Sequence, residues 1–378
     1  MKSWLEVLGG RLLRAVRCAV TRVGTPAELD DILKEYGLAE RDGRRKVFVN
    51  QGKWCVDIRH YARFLLLYHR FLAVGRPPIR MTVMWVKEDS ALAECAWIRY
   101  KLSVKKVTLF FPHQRMKIAL WKSAKDCQRE LRGLRYYAGL APDVLNGITN
   151  PVGDTRSMGQ KLVGGGVIKS DVYPTTLVEA LIDSHARNLP IIAEAWNDYF
   201  AKASEAGQLV LPHLTSEETQ LQQRLLMRMR EYAGRIPVVP TALAHNDLGS
   251  GSGPVARRVE PSRGEYDARE SVISPPNVVV DNGKLYVLDY EQCLKANLWY
   301  DFVYLYMFWP SVCMRDVLKW VDMSCDRLLV DRCGHDHQLY VDLFIADFMV
   351  HLATFIDDAA CGHRTRREWY SALLKNYV

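Results

Sequence analysis

The chain has 378 residues, 51 Lys and Arg against 43 Asp and Glu, and a formal net charge of +8; hydrophobic residues make up 49% and charged residues 25%. Those proportions are ordinary for a globular protein of two lobes or two to three modest domains, and the mild, dispersed positive charge suits an anionic ligand better than a nucleic-acid surface. Nine cysteines, an odd number with no Cys-x-x-Cys, speak against a disulfide framework and for a reducing compartment, the cytoplasm, and no apolar run approaches the ~18 residues of a transmembrane helix.

In chain order, Trp4, Leu5, Leu8, Leu12, Val16 and Ala19 recur at helical spacing among Arg11, Arg14, Arg17 and Arg22, with Glu6 the one acid. This predicts a basic amphipathic helix over 1–23. Three uses fit it: packing on its own domain, organelle targeting, or peripheral contact with a membrane surface. Thr25-Pro26-Ala27-Glu28 starts a helix, and Lys46–Val49 is a short strand. Ile58–Val74 reads as a buried helix stopped by Gly75 and Pro77-Pro78. Residues 1–90 thus form an N-terminal, mainly helical extension with no functional reading.

From Ala93 the period becomes strand-like. Cys95–Lys101, Lys106–Phe111 and Met116–Trp121 are three strands, with Pro112–Arg115 turning between the last two, and a helix follows over Ala124–Ala138. Met158–Val163 is a further strand before the break at Gly164-Gly165-Gly166. Helices are predicted over Thr176–Asn188 and Ile191–Ala206, then from the capping box Thr215-Ser216-Glu217-Glu218 through Tyr232.

The chemistry is concentrated between His245 and Asp301. Two β-branched runs, Asn277–Val280 and Leu285–Leu288, flank Asp281-Asn282-Gly283-Lys284, a hairpin with an Asn-Gly turn. Asp247 follows the apolar run Val238–Ala244, Asn277 opens the first hairpin strand, and Asp289 closes the second. Two carboxylates and an amide at the ends of a rigid hairpin suit phosphoryl transfer. One carboxylate orients an acceptor hydroxyl; the amide and the other carboxylate hold Mg²⁺ against nucleotide phosphates. Beyond Asp301 the helical period continues through Phe302–Trp309, Met314–Val330, Leu339–Ile356 and Thr365–Tyr377. Trp299, Tyr300, Tyr304, Tyr306, Phe308 and Trp309 have the spacing of a core stripe, with an aromatic acceptor box as the other reading. Cys333-Gly334-His335-Asp336-His337 crowds potential metal ligands together but has no distant Cys/His pair of finger spacing.

The set His245-Asn246-Asp247-Leu248, Asn277, Leu288-Asp289-Tyr290-Glu291 and Asp301 resembles the protein-kinase-like phosphotransferases, nearest to the choline/ethanolamine kinase and aminoglycoside phosphotransferase branch. The resemblance spans about residues 93–378. It implies an α+β, bilobal protein-kinase-like fold. The N-lobe and hinge, with a small antiparallel sheet, would lie at 91–168, and a mainly helical C-lobe at 169–378. It also implies ATP and Mg²⁺ as cofactors and a small-molecule or sugar acceptor, with no nucleic acid. Asp247 becomes the catalytic base, Asn277 and Asp289 the metal ligands, and Asp301 a structural carboxylate bracing the loop. Lys117, on the third strand, would contact the α/β-phosphates and be positioned by Glu130 on the next helix, with Lys122 as a rival to Lys117. The glycine break would fall at the adenine-binding hinge.

One departure stands out. The family keeps its catalytic Asp and the Asn close together, whereas Asp247 and Asn277 are thirty positions apart. The added segment, about 249–274, has the Gly/Ser/Arg/Glu composition of a flexible loop, and closure entropy grows only slowly with length. Two readings stay open: an acceptor-binding loop on an active phosphotransferase, or a pseudokinase that binds nucleotide without transferring phosphate.

Overall fold

The structure, a computed structural model, describes residues 21–22, 27–51, 54–61, 80–88, 90–101, 105–145, 156–163, 166–167, 174–189, 192–246, 248, 277–308, 312–328, 337–354 and 363–378. Asp247, the basic helix expected before Thr21, most of the apolar run after Ile58, the inserted segment, and Cys333–Asp336 lie outside the described residues. The chain divides into two compact units, one of residues 1–131 with 142–164, the other of residues 132–141 with 165–378.

In the first unit an eight-stranded sheet, counted over the described residues, contains β1 (Thr21–Arg22), β2 (Ala39–Gln51), β3 (Trp54–Asp57), β4 (Arg80–Val86), β5 (Trp97–Lys101), β6 (Lys106–Phe111), β7 (Met116–Trp121) and β8 (Ser157–Lys161). Their order is β1-β4-β2-β3-β5-β6-β7-β8, antiparallel except for β1 on β4. Helix α1 (Ala27–Glu35) supplies Leu29, Ile32 and Leu33, and Tyr36 follows it. These four lie at helical spacing and pack on Phe48, Met84, Val107, Leu109, Ile118 and Leu120 of the sheet. Val56, Trp97 and Phe110 form a smaller second cluster. After the single turn α2 (Ala91–Glu94) and strands β5 to β7 comes α3 (Ala124–Tyr136).

The sheet corrects the mainly helical reading of residues 1–90. Strands on both sides of residue 90 pair in one sheet (β3 on β5, for example), so residues 39–57 and 80–86 belong with the strands that follow them. Only Lys46–Val49 reads as a strand there, and a buried ion pair hid its partner β3. Lys46 in β2 and Asp57 at the end of β3 are both buried, at 3.2 Å. Lys46 Nζ also donates to the carbonyls of Leu92 and Ala93, each at 3.1 Å, and to that of Cys95. Charges on the core face break the apolar alternation from which a strand is read.

The second unit is mostly helical. Its helices are α4 (Pro174–Ala186), α5 (Trp196–Val210), α6 (Ser216–Tyr232), α7 (Asp301–Phe308), α8 (Met314–Leu328), α9 (His337–Thr354) and α10 (His363–Tyr377). Thr215 and Glu218 form the expected capping box at the start of α6. Among the described residues, two three-stranded sheets accompany the helices. One places β11 (Val238–Ala244) between β10 (Ile192–Ala195) and β14 (Leu294–Asn297); the other places β12 (Val278–Asp281) between β9 (Gly166–Val167) and β13 (Lys284–Val287). Strand β10 replaces the start of the helix expected from Ile191. Its Ala and Glu favour helix in isolation, but antiparallel pairing with β11 from Ile192↔Thr241 to Ala195↔Val238 overrides that preference. The β12–β13 hairpin closes on Asn282 and Gly283, both at positive φ (52° and 77°), as an Asn-Gly turn requires.

Candidate active site

Strand β11 delivers the His245-Asn246 segment that leads into Asp247. Its end is tied to β14 by the pair Ala244↔Leu294, which sets the segment beside the turn that follows Asp289. Asp301, the first residue of α7, receives the backbone N–H of His245 on one carboxylate oxygen (2.8 Å) and that of Asn246 on the other (2.9 Å). Tyr137 donates to the Leu243 carbonyl and lies 3.4 Å from Asp301 Oδ2. Burial raises the Asp301 carboxyl to about 6, against the pull of the two backbone donors and Tyr137, so it is ionised at neutral pH. The bracing expected of Asp301 is present atom by atom.

His245 is fully buried, and burial lowers its imidazole to about 4. The ring is therefore neutral, and because its Nε2 lies 3.0 Å from the Leu288 carbonyl, which can only accept, Nε2 carries the proton. That bond links the His245-Asn246 segment to the residue before Asp289. Asn246 has φ +60°, a left-handed conformation that costs a non-glycine residue roughly 1–2 kcal/mol and needs outside support. The support comes from Nδ2 donating to the Gln292 carbonyl (3.3 Å) and from the Tyr304 hydroxyl, which lies 2.7 Å from the Asn246 carbonyl and 3.1 Å from Oδ1.

The hairpin brings together the two residues expected to hold a metal. With Val278 opposite Val287, the next pair outward is Asn277 and Leu288, and Leu288 N–H donates to the Asn277 carbonyl at 2.6 Å. Asn277 and Asp289 thus stand at one end of the hairpin, close in space despite the inserted segment before Asn277. Asp289 is itself left-handed (φ 67°) and leads into the buried turn residues Tyr290 and Glu291. An amide and a carboxylate are hard oxygen donors. No group of three His, Cys, Asp or Glu able to cage a metal occurs among the described residues. Such a set fits Mg²⁺, which takes few protein ligands and completes its shell with phosphate and water.

In the first unit, Glu130 on α3 is buried, as a residue that positions a lysine should be, but the lysine it holds is Lys106. The ion pair measures 2.7 Å, Gln160 Nε2 donates to the other carboxylate oxygen at 3.3 Å, and the ammonium lies 4.5 Å from the Trp121 ring centroid. Lys117 stands on β7 opposite Phe110 and Gln160, and Lys122 is exposed just past the end of that strand. Register explains the exchange. Lys106 opens β6 and pairs with Trp121, the last residue of β7, where the chain turns off toward α3. Lys117 lies four residues back along β7, about 13 Å at the usual strand rise. Sequence order favours the third strand; only the antiparallel register reveals that the second strand's first residue sits nearest the helix.

Of the aromatic stripe after Asp289, three members are core, Tyr306 is half-buried, and the side chains of Phe308 and Trp309 lie outside the described residues. Trp299, Tyr300 and Tyr304 are buried, with Trp299 edge-on to Tyr340 and Tyr304 edge-on to His351.

No family model matches the sequence, and no curated protein matches it. Comparison with solved structures does find likenesses. The chain is similar in structure to choline kinases and aminoglycoside phosphotransferases. The choline kinase LicA from Streptococcus pneumoniae shares 12% identity, with 72% of this chain and 90% of that one covered and a TM-score of 0.45. For the aminoglycoside phosphotransferase APH(4)-Ia the identity is 12%, the coverage 93% and 97%, and the TM-score 0.43. A choline/ethanolamine kinase family protein from Mesorhizobium loti gives 13% identity, 71% and 84% coverage, and a TM-score of 0.42. Among the described residues no helix is long and apolar enough to cross a membrane.

Proposed function

We propose that the chain is a phosphotransferase that moves the terminal phosphoryl group of ATP, with Mg²⁺, onto a hydroxyl of a small-molecule or sugar acceptor. The observation that carries this reading is the assembly at the end of the β12–β13 hairpin. Asp301 accepts from the backbone N–H groups of His245 and Asn246, and the hairpin puts Asn277 opposite Leu288, the residue before Asp289. In this reading Asp247 orients the acceptor hydroxyl and takes its proton, and Asn277 and Asp289 hold the metal. The metal, when bound, neutralises phosphate charge. Lys106, held by Glu130, supplies the cation for the α/β-phosphates in place of Lys117. Positioning and fixed charge carry the rate, because the transition state spreads charge over the phosphoryl oxygens. The thirty-position span from Asp247 to Asn277 keeps a second reading in view, a nucleotide-binding pseudokinase without transfer activity.

Incubating the purified chain with MgATP and a panel of amino alcohols, sugars and aminoglycosides tests this directly. The wild type is expected to phosphorylate at least one of them. Asp247→Ala should lower turnover by about 10²–10⁴-fold with nucleotide affinity nearly unchanged, the usual effect of losing a general base. Lys106→Ala should weaken nucleotide binding by about tenfold or more, as expected for one lost charged hydrogen bond, and Lys117→Ala should change it by less than about twofold. Full activity in Asp247→Ala would remove the base from the scheme. The reverse ranking of the two lysines would return the phosphate contact to Lys117.

A further inference from the structure

We propose that Tyr304 is a positioning residue for the reaction, one that sets the peptide plane from which Asp247 departs; the inference rests on the phosphotransferase reading above. Asp301 and Tyr304 are three residues apart on α7 and so share a face of that helix. Asp301 receives the N–H of Asn246, fixing the peptide before that residue. The Tyr304 hydroxyl reaches the Asn246 carbonyl, which belongs to the next peptide, the one joining Asn246 to Asp247. Two consecutive peptide planes ahead of the base are thus held from one helix.

The ring that carries the hydroxyl is itself packed in place. Tyr304 is buried and its ring stands edge-on to His351 with centroids 4.7 Å apart, so the hydroxyl has little room to swing away. A phenol has one proton to give, and its two acceptors, the carbonyl at 2.7 Å and Oδ1 at 3.1 Å, both belong to Asn246. Asn246 is also the left-handed residue of the segment, and its amide reaches on to the Gln292 carbonyl in the turn after Asp289. Through Asn246, Tyr304 therefore ties the segment entering Asp247 to the turn that carries the metal-binding carboxylate.

The test is Tyr304→Phe in the full chain, which keeps the ring and its packing on His351. Three readouts are taken: melting temperature, peptide-level hydrogen exchange, and phosphoryl transfer from MgATP to an acceptor or, failing that, to water. The inference expects a melting temperature within about 3 °C of wild type and exchange faster by roughly tenfold in peptides covering 244–248, with α6 and α9 unchanged. It expects kcat lower by about 10-fold or more with KM for MgATP within about twofold, the pattern of a misplaced base with binding intact. Unchanged kcat and exchange would overturn it. So would a loss of activity that tracks a large fall in melting temperature and uniformly faster exchange, because Tyr304 would then be a core residue only. A wild type with no MgATP-dependent activity would defeat the phosphotransferase reading and the catalytic role with it, while the exchange data would still show whether Tyr304 holds the segment.

Discussion

Asp301→Asn is expected to cost far more activity than stability. Two effects oppose each other in the stability. The native carboxylate is buried, and its rise from the ordinary aspartate value to about 6 corresponds to a penalty on the order of 3 kcal/mol at neutral pH, which asparagine removes. Against this, asparagine offers one carbonyl oxygen where the carboxylate offers two, so one of the backbone N–H groups of His245 and Asn246 loses its acceptor and faces an amide donor. A buried donor left unpaired costs about 1–3 kcal/mol. The terms nearly cancel, and the melting temperature should move by only a few degrees. Geometry does not cancel. The left-handed Asn246 and the peptide that precedes it lose a defining contact, and turnover should fall by about 100-fold or more, in line with the sensitivity of positioned reactions to small displacements. Paired measurements of melting temperature and initial rate check this. A variant that keeps its rate would show that the Asp301 bracing is dispensable.

The second large effect is one of pH. Asp347, on α9, is buried. Its Oδ1 lies 2.8 Å from the Tyr199 hydroxyl, and Oδ2 receives Asn297 Nδ2 at 3.0 Å. Burial pushes its carboxyl up to about 8, so it holds a proton at neutral pH. The surroundings accommodate that proton. Asp347 can donate to the Tyr199 oxygen while Tyr199 donates to the Leu343 carbonyl, 3.3 Å away. The sign follows from linkage. Unfolded, the carboxyl releases its proton near pH 4; folded, near pH 8. Between these values the native chain holds a proton that the unfolded chain has lost, so the group's contribution to stability falls as pH rises from about 4 to 8 and is level above that. An asparagine side chain in this place would reproduce the neutral pattern, its Nδ2 donating to Tyr199 and its oxygen accepting from Asn297. Asp347→Asn should therefore melt within about 2 °C of wild type at pH 4.5 and roughly 5–10 °C higher at pH 8.5. Parallel melting curves for the two proteins across that range would mean that Asp347 is ionised in the fold.

Local rules carried well where neighbours in sequence are neighbours in space. The Asn282-Gly283 turn, the Thr215–Glu218 capping box and the apolar runs of β12 and β13 are all local. What was not legible depends on pairing across the chain. Lys106 looks like a solvated charge beside Lys105 until the β6–β7 register puts it against Trp121 and within reach of Glu130. Lys46 and Asp57 look like surface charges, and their burial as a pair disguised the full extent of β2 and the whole of β3. Ile192–Ala195 has helix-forming residues and becomes a strand only because β11 lies alongside. The support of Asn246 by Tyr304, fifty-eight positions later, has no sequence signature, since a tyrosine on an apolar helix reads equally well as core.

The most direct test of the central claim, that this hairpin end holds a metal and a nucleotide, is the change in melting temperature on adding ATP with and without Mg²⁺, for the wild type and for Asp289→Ala. The account predicts a stabilisation of the wild type of several degrees that requires Mg²⁺, as for a ligand well above its dissociation constant, and its loss in Asp289→Ala. An unshifted wild type, or an Asp289→Ala protein that responds as the wild type does, would contradict it.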